Sequence, residues 1–267
     1  MKLSLAGWSL QKLFWAKENA LKLVDFPAFT RDTFGLHAIE LNNHFFESTR
    51  PPYLDQLRLA AESAGVEMLN IAVDEHGELS SFDSGARAIA LANYSRWIHI
   101  AAYLGVKAVR ANSGGMNAPH HKAAVECCVD TFRRLCDIGR PYGVQVLIEN
   151  HTGLSFDPAF VVELVRRVRL THGDDAIAVL ADFGNWPDSV DRYAALAEVL
   201  PYASAVHAKV NDIDNRLRHH RFDHARCVDL CREAGYDGYL GIEYEGDTAE
   251  PIEGVRRGIR RLRQILC

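Results

Sequence analysis

Four segments in the second half of the chain run apolar and then deliver an acidic or imidazole side chain. They are Val144–Asn150, Ala178–Asn185, Ala205–Asp212 and Tyr239–Gly246, and they present Glu149, Asp182, His207 and Glu243. Brought together, these make three carboxylates and one imidazole. Such an oxygen-rich set suits a hard divalent cation, Mn²⁺ first, with Mg²⁺, Co²⁺ or Zn²⁺ as alternatives. Open positions on such an ion could take two oxygens of a polyol or hydroxy-ketone. A single glutamate at a strand end is as often an ion-pair partner or a helix cap. Four at the spacing of successive βα units point to one centre. Glu245 shares a strand face with Glu243 by two-residue alternation. Glu243 lies nearer the apolar run and is the expected ligand, with Glu245 toward the rim.

Convergence of four segments requires a fold that points their ends at one place. Strand-like runs recur along the chain at Lys2–Ala6, Ala38–Leu41, Glu67–Val73, Ala108–Ala111, Val144–Glu149, Ile177–Ala181, Ala205–Val210 and Tyr239–Tyr244. Helical periodicity fills the intervals, at Tyr53–Ala64, Ala86–Leu104, Lys122–Tyr142, Pro158–Val168, Val190–Leu200, Asp223–Ala234 and Pro251–Ile265. A first helix falls within Asn19–Thr33, interrupted by Pro27. Gly65, Gly105, Gly143 and Gly235 stand where helices should stop, and Asp157-Pro158 reads as an N-cap with proline at the first helical position. No linker or composition shift divides the 267 residues. The expectation is an α/β fold: a single (β/α)8 TIM barrel forming one domain over 1–267, a size close to the usual ~250 residues. Its active site would lie at the carboxyl face of the strands, where strands five to eight end in the four candidate ligands.

Bulk properties narrow the partners. Hydrophobic residues make up 48%, charged residues 24%, and the formal net charge is −5. A mildly acidic surface gives no broad attraction for nucleic acid or anionic membrane. No apolar stretch approaches the ~20 residues of a membrane span. Met1–Trp8 reads as a strand and lacks the features of a signal peptide, so the expected location is cytoplasmic. The six cysteines, Cys127, Cys128, Cys136, Cys227, Cys231 and Cys267, form no CxxC pair and read as buried thiols of a reducing compartment.

The segments Ile148–His151, Leu180–Asn185, Val206–Lys209 and Gly235–Gly246 resemble the metal-binding segments of the xylose-isomerase-like TIM-barrel superfamily. That group includes sugar phosphate isomerases/epimerases, ketose 3-epimerases, hydroxypyruvate isomerases, inosose dehydratases and endonuclease IV. The resemblance covers essentially the whole chain. It implies that Glu149, Asp182, His207 and Glu243 are the four metal ligands. It also implies that Glu149 and Glu243 form an acid/base pair, exchanging a proton on opposite faces of the carbon next to a carbonyl, through a metal-stabilised enediolate. Two departures concern the substrate shell. Asn185 stands where the family often has a histidine, and no carboxylate follows His151 before Asp157.

Further candidates surround this set. Asn185, Lys209 and His151 are expected substrate contacts, with Lys209 equally able to pair with Asp182 or Asp212. Asn112 ends strand four, and Asp74 with His76 follows strand three. Arg216, Arg218, His219, His220 and Arg221 form a basic loop after strand seven that could hold an anionic substrate. Trp8, Phe14, Trp15, Phe45, Phe46 and Trp186 could wall a sugar or meet a partner in a homo-oligomer, a dimer or tetramer. The leading expectation is a metal-dependent isomerase or epimerase of a sugar or sugar phosphate. The alternatives are a lyase dehydrating a keto-polyol, as in inosose dehydratase-like relatives, and an endonuclease IV-like enzyme. The last needs more histidine ligands and a basic face.

Overall fold

Short apolar runs become eight parallel strands in the computed structural model, which describes residues 1–115, 122–247 and 249–267. These are β1 (Lys2–Ala6), β2 (Ala38–Asn42), β3 (Glu67–Ala72), β4 (Ala108–Ala111), β5 (Gln145–Glu149), β6 (Ile177–Asp182), β7 (Ala203–Lys209) and β8 (Tyr239–Glu243). They pair in sequence order, and β8 closes on β1 to form a barrel. Helices α1 (Gln11–Phe14), α2 (Phe26–Phe34), α3 (Pro51–Ala64), α4 (Ser84–Leu104), α5 (Lys122–Gly139), α6 (Pro158–His172), α7 (Arg192–Val199), α8 (His224–Glu233) and α9 (Pro251–Leu266) fall between and after the strands.

Local chemistry sets the boundaries. Asp83, Asp157, Asp191 and Asp223 each cap a helix by accepting from backbone N–H groups of its first turn. Gly65 and Gly105 end α3 and α4 in the left-handed region, at φ 62° and 75°, where a Cβ would be strained. Pro27 departs from its expected role. It occupies the first turn of α2 and starts that helix instead of interrupting it, because the first turn needs no N–H there. Helix α6 also runs past the expected Val168, and Arg169 donates to the carbonyls of Ile177 and Tyr202.

The main core lies between strands and helices. A second, smaller apolar cluster of Leu147, Ala178 and Leu180, with Ala108 and Ala205 against it, plugs the barrel. Around that plug the interior is polar, with Ser4, Glu40, Asn70, Arg110, Glu149, Asp182, His207 and Lys209 all buried. Cys128, Cys136, Cys227 and Cys231 are buried and unpaired. Among the described residues no helix is long and apolar enough to cross a membrane.

His224, the first residue of α8, is fully buried, and its Nε2–H donates to the Lys209 carbonyl at 2.8 Å. Burial lowers its pKa to about 3, with His219 adding to the effect. A free histidine binds its proton near pH 6.5. Unfolded chain therefore takes up a proton that folded chain refuses. The stability His224 contributes is present above pH 6.5 and is lost as pH falls toward the folded value. Urea midpoints measured from pH 7.5 to 4 should fall, and His224→Gln should flatten that slope. Parallel slopes in the two proteins would contradict the assignment.

Candidate metal centre

Strand register brings the four candidate ligands side by side. Asp182 lies opposite His207, and Lys209 lies opposite Glu243. Inward alternation then places Glu149, Asp182, His207 and Glu243 at the carboxyl end of the barrel. All four are buried, and one ligand atom from each lies within 4.8 Å of the others. His207 Nδ1 is 3.5 Å from Glu149 Oε1, 3.4 Å from Glu243 Oε2 and 3.9 Å from Asp182 Oδ2. Ligand atoms about 2.1 Å from one octahedral ion would be separated by roughly 3 to 4.2 Å. Slight contraction of this ring would meet that geometry. Two atoms facing the ring, His207 Nδ1 and Asp182 Oδ2, are buried and make no hydrogen bond. Buried polar atoms left this way are costly unless something further satisfies them. The donor set therefore fits a hard divalent ion.

Each ligand is held from behind. Asp182 Oδ1 accepts from the N–H groups of Gly184 and Asn185 at 2.5 and 2.8 Å, which turns the loop after β6. Its Oδ2 is thereby left facing the cluster. Asn150 ties β5 to β6, donating to the Asp182 carbonyl at 3.0 Å and accepting its N–H at 2.8 Å. Ser9 does the same for β8, donating to the Ile242 carbonyl and accepting from the Tyr244 N–H. His207 Nε2 meets Glu40 Oε2 at 2.8 Å. Glu149 Oε2 lies 3.0 Å from Arg110 Nε, while the other arm of that guanidinium grips Asp74 in a fork at 2.6 and 3.1 Å.

Charge is balanced within this buried volume. Burial opposes ionisation of Glu149, but Arg110 and His207 hold its pKa below the usual range. Glu243 is held well below that range, Lys209 and His207 outweighing its burial. Burial pushes Asp182 up to about 7, with Glu243 and Glu149 adding to the rise and Lys209 opposing it. Burial disfavours charge on His207, yet Glu243 and Glu40 raise it well above the ordinary histidine value.

The surrounding candidates divide. Asn185 Nδ2 donates to Glu149 Oε1 at 3.2 Å, so it touches a candidate ligand directly. Lys209 Nζ pairs with Glu243, with Glu245 at 2.8 Å and with Asp182 at 3.4 Å. The pair expected with Asp182 is present, and it is made there and not with Asp212. Glu245 is one-third exposed and sits at the rim as expected. Asn112 donates to Asp74 at 2.7 Å. His151 is half-buried near Asp74 and Glu149, and its Nδ1 makes no hydrogen bond. The structure does not bring Arg218 to the cluster. It is 62% exposed and forks onto Asp214 of its own loop, and His220 contacts the same carboxylate. Asp214 therefore takes up the Arg218 guanidinium within the loop. Trp8 packs on Trp15, His44 and Phe45 in an aromatic group beside the barrel mouth.

Glu40, Arg110, Asn150 and Ser9 went unread in the sequence. The available signal was a charged residue inside an apolar strand, Glu40 in β2 and Arg110 in β4.

A family model described as xylose isomerase-like TIM barrel matches residues 30–265. No curated protein matches the chain by sequence. Among solved structures, D-psicose 3-epimerase in the presence of D-fructose is 18% identical with a TM-score of 0.77, covering 100% of this chain and 99% of that one. The IOLI protein with a binding zinc atom is 15% identical with a TM-score of 0.79, covering 100% and 98%. A xylose isomerase-like TIM barrel protein from Mycobacterium smegmatis in complex with magnesium is 18% identical with a TM-score of 0.71, covering 100% and 98%. At these identities the likeness is one of fold.

Proposed function

The chain belongs to the xylose isomerase-like TIM barrel family, and from that premise we propose that it is a metal-dependent isomerase or epimerase of a sugar or sugar phosphate. The observation that carries this reading is the ring of Glu149, Asp182, His207 and Glu243, with ligand atoms within 4.8 Å of one another. Those four residues would hold one divalent ion, Mn²⁺ by the oxygen-rich donor set. Similar folds bearing zinc and magnesium support a metal here without choosing between ions. When bound, the ion supplies Lewis-acid polarisation of a substrate carbonyl and its neighbouring hydroxyl.

The remaining chemistry belongs to the side chains. Glu149 and Glu243 come from different strands, and each has an oxygen within 3.5 Å of His207 Nδ1. Each has its own donor, Asn185 Nδ2 for Glu149 and Lys209 Nζ for Glu243, which fixes the orientation of its carboxylate. One glutamate takes the proton from the carbon next to the carbonyl and leaves an enediolate. The other returns a proton to the opposite face or the neighbouring carbon. Both carboxyls favour the ionised state that a base needs, so the one that acts as the acid must first take up a proton from solvent. Lys209 is the cation placed to meet negative charge developing on the substrate oxygens. Asn185 can donate to a substrate oxygen but cannot titrate. The fold likeness to a D-psicose 3-epimerase makes a ketose the first substrate class to test.

The test is incubation with Mn²⁺ and a ketose panel in D₂O. Deuterium should enter the carbon next to the carbonyl of at least one sugar or sugar phosphate, and EDTA should stop it. An absorbing enone product would instead assign elimination. No exchange across the panel with a metal-loaded protein would sink the reading.

A further inference from the structure

Glu40 is a carboxylate in the middle of β2, flanked by apolar residues and 4% exposed. Burying a carboxylate so deeply is costly unless its oxygens are satisfied. Three strands satisfy it. Ser4 Oγ of β1 donates to Oε1 at 2.7 Å, and Asn70 Nδ2 of β3 donates to Oε2 at 2.9 Å. The third partner is His207 Nε2 of β7, 2.8 Å from Oε2. Strand β7 does not neighbour β2 in the barrel, so this contact crosses the interior.

A second observation shows that the crossing is built in. Gly241 of β8 lies opposite His207 in the register. A Cβ at that position would stand 2.2 Å from Glu40 Oε1 and 2.9 Å from His207 Cδ2. Gly241 is ordinary strand with no positive φ. The backbone would accept another residue there, and the nearest obstacles to a side chain are the Glu40 carboxylate and the His207 ring. Glu40 also lines a cavity of about 410 Å³ together with Glu67, Gln145 and Tyr239, near the strand starts and away from the four strand-end residues. Its link to those residues is the His207 ring.

We propose that Glu40 is a positioning residue: by accepting from His207 Nε2–H it fixes the imidazole so that Nδ1, and not Nε2, faces the ion. A carboxylate on the far nitrogen of a metal-bound histidine sets both the ring's orientation and the nitrogen that is free to ligate. The orphaned Nδ1, 3.4 to 3.9 Å from three candidate ligand oxygens, is the atom so presented. This inference rests on the metal-centre reading above but not on any substrate.

The experiment measures Mn²⁺ affinity by competition with a fluorescent chelator, in wild type, Glu40→Gln and Ser4→Ala. Glu40→Gln should bind Mn²⁺ about 10- to 100-fold more weakly. Ser4→Ala, which removes one hydrogen bond holding Glu40, should show a smaller loss in the same direction and keeps the test open if Glu40→Gln folds poorly. Imidazole ¹⁵N NMR of the Zn²⁺-loaded wild type should show His207 ligated through Nδ1 with Nε2–H retained. A purely structural role would lower the urea midpoint and leave affinity and ring signature unmoved, and that pattern overturns the proposal. Ligation through Nε2 in wild type also overturns it. A wild type that binds neither Mn²⁺ nor Zn²⁺ overturns the metal-centre reading and this inference with it. Weakened binding in Glu40→Gln alongside no substrate exchange in wild type supports the role of Glu40 and overturns only the isomerase reading.

Discussion

Glu149→Gln and Glu243→Gln should each slow deuterium entry into substrate by about 10²- to 10⁴-fold at saturating Mn²⁺, the usual worth of a positioned acid or base. Glutamine keeps the size of the side chain and one oxygen for the ion, but it cannot accept the substrate proton. Both residues are buried and both carry a dedicated donor, so neither is an incidental surface carboxylate. Glu245 supplies the control. It lies at the rim, one-third exposed, and pairs only with Lys209 among these groups. Glu245→Gln should cost far less than either of the other two. NMR of the substrate's exchanging C–H, with metal content checked for each variant, gives the measurement. Full exchange in Glu149→Gln or Glu243→Gln would remove that residue from the acid/base pair.

Arg110→Met should destabilise the protein by about 3–5 kcal/mol, as when one partner of a buried charge group is removed. Arg110 is 4% exposed at its side chain, its fork holds Asp74 and its Nε lies against Glu149. Asp74 lies well below the usual carboxylate pKa and Glu149 below it, with Arg110 the leading cause working against burial. Methionine would fill the space and leave two carboxylates without their counter-charge. The double variant Arg110→Met/Asp74→Asn should recover part of the loss. Lys12→Met, removing an exposed pair with Asp247, should leave the urea midpoint essentially unchanged. Urea denaturation measures all of these. An Arg110→Met midpoint equal to wild type would contradict the buried-charge account.

The barrel and its strand ends were legible because parallel strands buried on both faces read as continuous apolar runs. A Glu, Asp or His that closes such a run has no apolar reason to be there. Capping chemistry was equally local: Asp157 and Gly65 act within a few residues of themselves. What stayed hidden depends on pairing across the ring. Glu40 and His207 are 167 residues apart and on non-neighbouring strands, so no periodicity joins them. Arg110 interrupts an apolar strand, but its partners come from β5 and from the loop after β3. Asn150 and Ser9 look like ordinary loop residues until the strand ends they stitch are side by side. Arg218 shows the converse. A run of basic residues suggested an anion site, and the neighbouring Asp214 captures Arg218 instead. Pro27 read as an interruption because proline's tolerance for a first helical turn depends on where the helix starts.

On the reading proposed above, Glu149, Asp182, His207 and Glu243 hold one divalent ion. Anomalous diffraction at the manganese edge, from crystals grown with Mn²⁺, tests it most directly. One strong peak is expected within about 2.2 Å of a carboxylate oxygen from each of Glu149, Asp182 and Glu243, and of His207 Nδ1. A fully formed site with no peak there, while the protein binds Mn²⁺ elsewhere or not at all, would contradict it.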